Sequence, residues 1–250
     1  MVKALVLKAP GTNCDEETAW ALKLAGASPD LVSIQRLFSD PKRLLGYAMA
    51  VLPGGFSYGD DVASGKILAN QIRFRLRRVF EEFVSRRNLV IGICNGFQVL
   101  VRAGLLPGWE AWSLSPVTLT WNPTGKFMCR WVSLQRRASR ARWLGRLPRV
   151  WELPIAHAEG RFLVQGPGVL RTLKKRGQVF LTYSPENPNG SDGAVAGICN
   201  LQGNVLGLMP HPERFVTPYQ HPQWTRKGAG GIAPVGLEFW KAAVRRAVAS

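Results

Sequence analysis

Apolar positions in this chain fall into short runs separated by turn residues, and the spacing within the runs changes between strand and helix periods. Leu89-Val90-Ile91-Gly92-Ile93 is a continuous, β-branched apolar run, the pattern of a strand buried on both faces. It passes through Gly92-Ile93-Cys94-Asn95-Gly96 into Phe97, Leu100 and Val101, which recur at helical spacing. Upstream, residues 3–9 read as a strand that Pro10-Gly11 closes. Thr12-Asn13 caps a helix that runs to about Leu24 and stops at Gly26. Residues 31–37 and 47–52 read as further strands, the second running into Pro53-Gly54-Gly55-Phe56-Ser57-Tyr58-Gly59-Asp60. Residues 60–87 read as a long helical segment in which Ile67, Leu68, Ile72, Phe74, Leu76, Val79, Phe80 and Phe83 supply apolar faces, with the arginines on the solvated side. Strand, helix, strand, strand, helix, strand is the rhythm of an α/β fold with a parallel sheet covered on both faces.

Leu105-Leu106-Pro107-Gly108 ends this series. Residues 117–121 and 126–134 read as strands of an antiparallel or edge region, and residues 136–149 as an exposed, mobile excursion. Pro154 to Phe162 is a strand-to-loop transition, residues 179–183 are a strand, and Pro185 to Gly190 is rich in turn residues. Residues 194–200 and 204–208 flank Leu201-Gln202-Gly203 as a β-hairpin whose second arm delivers Met209-Pro210-His211-Pro212-Glu213-Arg214. Residues 237–248 form a closing helix with Phe239, Val244 and Val248 on its apolar side. Neither an internal repeat nor a linker interrupts the pattern, so residues 1–250 read as one domain.

Composition narrows the class. Hydrophobic content of 46% suits a buried core. The four cysteines (Cys14, Cys94, Cys129, Cys199) form no C-x-x-C pair, which argues against a zinc ribbon or a disulfide framework and for a reduced, cytoplasmic setting. No apolar run is long enough for a membrane span, and the N-terminal run is too short for a signal peptide. The net charge of +17 gathers at Arg73 to Arg78 and in residues 126–149, which hold no acidic residue. Interleaved basic and aromatic residues can track phosphates, but no nucleic-acid motif accompanies them. A solvated surface, or one that docks on an acidic protein partner, is the reading adopted; no nucleic acid is expected.

The glycine-rich stretch fails as a phosphate loop. Five residues separate Gly59 from Gly65 where the loop has four, and Ile67 stands where Ser or Thr would hold magnesium. Its position beyond a strand end suits another role, because ligands of open α/β sheets bind there. Exposed N–H groups of Gly54-Gly55 would face the neighbouring strand tip, which carries Cys94.

Gly-x-Cys-x-Gly between a strand and a helix has the shape of a nucleophile elbow carrying a thiol, set at a helix N-terminus that favours thiolate. A buried structural cysteine in a β–α turn is the plainer alternative. A nucleophile needs a base, and the chain has three histidines, His157, His211 and His221. His211 follows a strand and Glu213 lies two residues on, so in extended backbone both side chains project to one side and the carboxylate orients the imidazole. His157 and Glu159 repeat the spacing and compete for the role; the two pairs together could also ligate a metal, although zinc sites show tighter clusters. His221 has no carboxylate nearby in sequence and reads as a surface residue.

Gly92-Ile93-Cys94-Asn95-Gly96-Phe97-Gln98 with His211-Pro212-Glu213 resembles the class I glutamine amidotransferases. The narrower resemblance is to the glutaminase subunits of phosphoribosylformylglycinamidine synthase, an enzyme of purine biosynthesis. It is carried by Gly11-Thr12-Asn13-Cys14-Asp15, Pro53 to Asp60, Pro154 to Phe162, Asn187-Pro188-Asn189-Gly190-Ser191 and Gly207 to Arg214, in that order along almost the whole chain. It implies a flavodoxin-like open, mostly parallel sheet with helices on both faces. It implies that Cys94 attacks the side-chain amide of L-glutamine, that His211 shuttles protons and that Glu213 orients it. By the same resemblance the N–H groups of Gly55 and Asn95 form the oxyanion hole and Gln98 contacts glutamine. No metal or cofactor is implied in this chain; ATP and magnesium belong to a synthase partner subunit, and the resemblance leaves room for a small third subunit. Ala158 departs from the family, which has glycine in His-Gly-Glu-Gly. The rival readings are another cysteine amidotransferase or hydrolase of the same fold, and a basic regulatory protein with an inert elbow.

Overall fold

The structure is a computed structural model that describes residues 1–110 and 112–249. The first half alternates as Val2–Lys8 (β1), Asp15–Leu24 (α1), Ala27–Ser33 (β2), Ile34–Ser39 (α2), Met49–Leu52 (β3), Lys66–Gln71 (α3), Arg77–Ser85 (α4), Leu89–Ile93 (β4) and Asn95–Ala103 (α5). The second half adds Val117–Thr120 (β5), Met128–Arg136 (β6), Val150–His157 (β7), Arg161–Val164 (β8), Pro167–Lys175 (α6), Val179–Tyr183 (β9), Val195–Cys199 (β10), Val205–Leu208 (β11), Trp224–Lys227 (α7) and Val235–Val248 (α8).

Nine strands form one sheet in the order β2-β1-β3-β4-β11-β10-β9-β6-β7, while β5 and β8 pair separately. From β2 to β11 all neighbours are parallel; from β11 to β7 they are antiparallel. The parallel part has the flavodoxin-like order, with β11 as its fifth strand. Its switch point lies between β1 and β3, where a ligand crevice is expected beyond the strand ends. An isolated bridge from Thr12 to Gly55 spans that point. β3, β4, β10 and β11 are buried along their whole length, as their unbroken apolar runs require. α5 packs over β3 and β4 with α3 against it, whereas α1 and α8 pack together against β1.

The structure departs from the sequence reading where helix signals are short. The run 31–37 is not one strand: β2 ends at Ser33, whose Oγ accepts from the Arg36 N–H (3.2 Å), and Ile34 and Leu37 are buried one helical turn apart on α2. α1 begins at Asp15 rather than at a Thr12-Asn13 cap, since the Thr12 Oγ1 accepts from Ala9 N instead. Asp60 closes a 3-10 turn, Ser57–Asp60, and residues 61–65 are not helical. The Asp60 carboxylate takes the Ser64 hydroxyl (2.9 Å) and the Gly65 N–H (3.1 Å), so the helix starts only at Lys66. A π-helical segment, Ile72–Leu76, then shifts the phase and leaves Phe74, expected on an apolar face, 76% exposed. Val248 is likewise turned out to solvent in the last turn of α8.

The segment 136–149 is anchored, not a free excursion. Ala141, Leu144 and Leu147 are buried, and the Trp143 indole N–H donates to the Gly203 carbonyl (3.2 Å). Two of its arginines donate to carbonyls, Arg136 to Leu147 (3.1 Å) and Arg140 to Arg176 (3.0 Å), and Arg137 donates to the Thr182 hydroxyl (3.1 Å). His221 is also not a surface residue. It is 5% exposed, lies edge-on to Trp131, and has a carboxylate after all, Glu152, at 3.3 Å from Nε2. That contact is long-range and invisible in local spacing.

Candidate active site

Cys94 sits between the end of β4 and the start of α5 with φ 50° and ψ −107°. Positive φ in a residue with a Cβ is strained, and it persists here because both flanks are pinned. The Cys94 N–H donates to Leu208 (2.8 Å) on the neighbouring strand, and its carbonyl accepts from Gln98 N (3.1 Å) in the helix. The turn also needs glycine behind it: a Cβ on Gly96 would lie 1.9 Å from the Leu52 carbonyl oxygen. The thiol points to the Ala156 carbonyl at the end of β7, 3.6 Å away.

β11 parallels β4, so the segment after it arrives beside the elbow. His211 Nδ1 lies 2.5 Å from Glu213 Oε1, and both side chains are almost wholly buried. The pair meets through a 3-10 turn, Pro212–Arg214, and not through the extended backbone expected from sequence. A methyl group on Gly54 would stand 2.8 Å from His211 Cε1, 3.1 Å from Cys14 Sγ and 3.4 Å from Cys94 Cβ, so the three groups converge on one bare α-carbon. Burial alone would push His211 down; the Glu213 carboxylate and the Cys94 sulfur outweigh it and hold the imidazole well above its ordinary range. A raised imidazole beside a thiol is the arrangement that nucleophilic catalysis by cysteine requires.

The structure brings the Gly-rich stretch to the same point. The Phe56 N–H donates to the Gly11 carbonyl (2.9 Å) across the Thr12–Gly55 bridge, which fixes Gly55 at the switch point. Asn95 is the first residue of α5, where the backbone N–H has no intrahelical acceptor. Its side chain ties the two regions together: Oδ1 accepts from Ser57 Oγ (2.6 Å) and Nδ2 donates to Asp60 Oδ1 (3.0 Å). Gln98 stands one turn on, but both ends of its amide are engaged, Nε2 on the Glu159 carbonyl and Oε1 by Asn95 (3.1 Å).

The second H-x-E pair does not form. His157 ends β7, while the Glu159 carboxylate turns to Ser64 N (3.4 Å) and Arg102 (3.5 Å). His157 is pushed down to about 4, first by burial and then by the charge of His211. Among the described residues the donor set compact enough for a metal is Cys14, His211 and Glu213. A guanidinium nitrogen of Arg214 already lies 3.2 Å from Cys14 Sγ, which opposes a second cation there. Burial pushes the Cys14 thiol up to about 11, so it stays neutral beside His211.

Sequence reasoning missed Cys14, Ser57, Asp60, Arg102 and Tyr183. Tyr183, at the end of β9, is buried, and its phenol is raised by burial and by the Cys94 charge. Asp60 and Cys14 lay in stretches already singled out, whereas Arg102 and Tyr183 carry no local signal.

Residues 1–245 match the CobB/CobQ-like glutamine amidotransferase domain family. The chain is 42% identical over 235 residues to phosphoribosylformylglycinamidine synthase subunit PurQ of Dehalococcoides mccartyi, covering 91% of each chain. It is 41% identical over 266 residues to the subunit PurQ of Treponema denticola, covering 97% of each. A chain in the structure of PurLQS from Thermotoga maritima superimposes with a TM-score of 0.74 at 31% identity, over 98% of this chain and 99% of that one. By the family match and by identity to these relatives over nearly its whole length, the chain belongs to the PurQ family of glutamine amidotransferases.

Proposed function

We propose that this chain hydrolyses L-glutamine to glutamate and ammonia at Cys94, for use by a synthase subunit that makes phosphoribosylformylglycinamidine. The observation that carries the site assignment is the strained Cys94 elbow facing a buried His211–Glu213 pair across Gly54. Cys94 gives its proton to His211 Nε2, since Nδ1 is held by Glu213. The thiolate attacks the carboxamide carbon, a C–S bond forms, and the N–H groups of Gly55 and Asn95 take the developing oxyanion. His211 returns the proton to the amide nitrogen, the C–N bond breaks, and ammonia leaves a γ-glutamyl thioester. Water, losing a proton to His211, then releases glutamate, and the thiol is restored.

Gln98 reaches glutamine only if it exchanges one of its two internal bonds; in its present place it braces Asn95 and the turn at Glu159. ATP and magnesium belong to the partner in this reading, which also allows a small third subunit. The single nine-stranded sheet and its continuous apolar core support residues 1–250 as one amidotransferase domain. The four free cysteines suit a reduced cytoplasmic setting.

A diazo-ketone analogue of glutamine tests the assignment of the nucleophile. Incubation with the folded protein followed by peptide mapping is expected to place the label on Cys94 and to leave Cys14 and Cys199 unmodified. Both of those thiols are pushed up to about 11 by burial, so little of either is thiolate near neutral pH. Equal labelling of Cys14 would remove the distinction on which the site rests.

A further inference from the structure

The second histidine of the site has a defined tautomer. Asn122 Nδ2 donates to the carbonyls of Lys126 (3.0 Å) and His157 (2.9 Å), which fixes its amide so that Oδ1 faces His157 Nδ1 (3.2 Å). An amide oxygen is an acceptor only, so Nδ1 carries the hydrogen and Nε2 presents a lone pair. That nitrogen is buried and has no partner among the described residues. A ring held this firmly is not there to swing: a Cβ on Gly160 would lie 2.2 Å from it. The carbonyl before it, on Ala156, receives the Cys94 thiol, and the charge of His211 opposes a second one on the His157 ring.

A buried lone pair on the residue that follows the carbonyl met by the nucleophile calls for a donor that the substrate supplies. Glutamine offers two kinds, the cationic α-ammonium and the neutral carboxamide N–H groups. The ammonium is disfavoured here, because it would face the His211 imidazolium and no carboxylate accompanies His157. We propose that His157 Nε2 accepts a hydrogen bond from the carboxamide nitrogen of glutamine, and then from the ammonia that nitrogen becomes. His157 moves no proton; it positions the leaving group so that the nitrogen lone pair turns to the proton on His211. Because His157 is pushed down to about 4, it is neutral near pH 7 and has no proton at Nε2 to give, so the product departs as ammonia, the nucleophile a synthase needs. The inference rests on glutamine hydrolysis at Cys94.

Two variants separate the acceptor from the structural bond. His157→Asn keeps a donor near the Nδ1 position for Asn122 and loses the lone pair at Nε2; His157→Gln keeps an acceptor near Nε2. Each is assayed as the full chain on glutamine and on the γ-methyl ester of glutamate, whose leaving oxygen carries no hydrogen to donate before cleavage. Rates are normalised to the diazo-ketone titre, so unfolded protein does not count. His157→Asn should lower kcat/KM for glutamine by about 10- to 100-fold and change the ester by no more than about threefold. His157→Gln should recover part of the amide activity. Equal losses on both substrates, or no loss on either, would overturn the proposal. Should His157→Asn yield no titratable sites, His157→Ser is read by the same ratio. A wrong nucleophile shows differently: Cys94→Ala would then retain hydrolysis of both substrates.

Discussion

Cys94→Ala is expected to reduce glutamine hydrolysis to background, a loss of about 10⁴-fold or more. The reason is chemical, since alanine offers no atom to form the thioester, and no second thiol can take over. Cys14 shares the space around Gly54, yet it is neutral and has Arg214 against its sulfur. The substitution should not disturb the fold, because the strained φ of 50° is held by bonds from the backbone on both sides. A synthase partner assembled with the variant should still turn over when ammonia is added, since that route bypasses the thiol. Loss of both activities would mean that the elbow supports the partner's site as well as its own chemistry.

His211→Asn should cost about 10³–10⁴-fold in glutamine hydrolysis. Asparagine can still donate to Glu213 Oε1, so the 3-10 turn at Pro212–Arg214 keeps its internal bond. What it lacks is the second ring nitrogen, which takes the thiol proton and delivers it to the departing amide. His157→Asn must cost distinctly less, because His157 exchanges no proton. Steady-state rates of the two variants check the order directly. A greater loss at His157 would make it the base and reduce the His211–Glu213 pair to a structural contact.

The architecture was legible wherever burial imposed a long periodic signal. The run at 89–93, the 194–208 hairpin and the closing helix all stand where their patterns put them. The convergence of Cys94, His211 and Glu213 was also readable, since an elbow and a His-x-Glu spacing are local signals that the sheet order then brings together. The illegible parts depend on particular hydrogen bonds and ion pairs, some local and some distant, that a pattern of apolar positions does not record. Arg36 finds the Ser33 hydroxyl and turns an apolar run into α2, while Asp60 reaches Ser64 and Gly65 and delays α3 to Lys66. Arg136 and Arg140 looked unpaired because their acceptors are carbonyls, which no charge count records. His157–Glu159 and His211–Glu213 have identical spacing, and what separates them is Arg102, which draws Glu159 away. Nor does any motif mark Asn122, although its two carbonyl partners decide which nitrogen of His157 holds the hydrogen.

The central claim is that glutamine is cleaved through a covalent bond to Cys94. Acid-quenching the protein during glutamine turnover, then mapping peptides by mass spectrometry, reads that bond directly. The account predicts a γ-glutamyl group on the peptide that contains Cys94, absent from Cys94→Ala and lost on a chase without glutamine. A γ-glutamyl group on Cys14, or continued hydrolysis by Cys94→Ala, would contradict it.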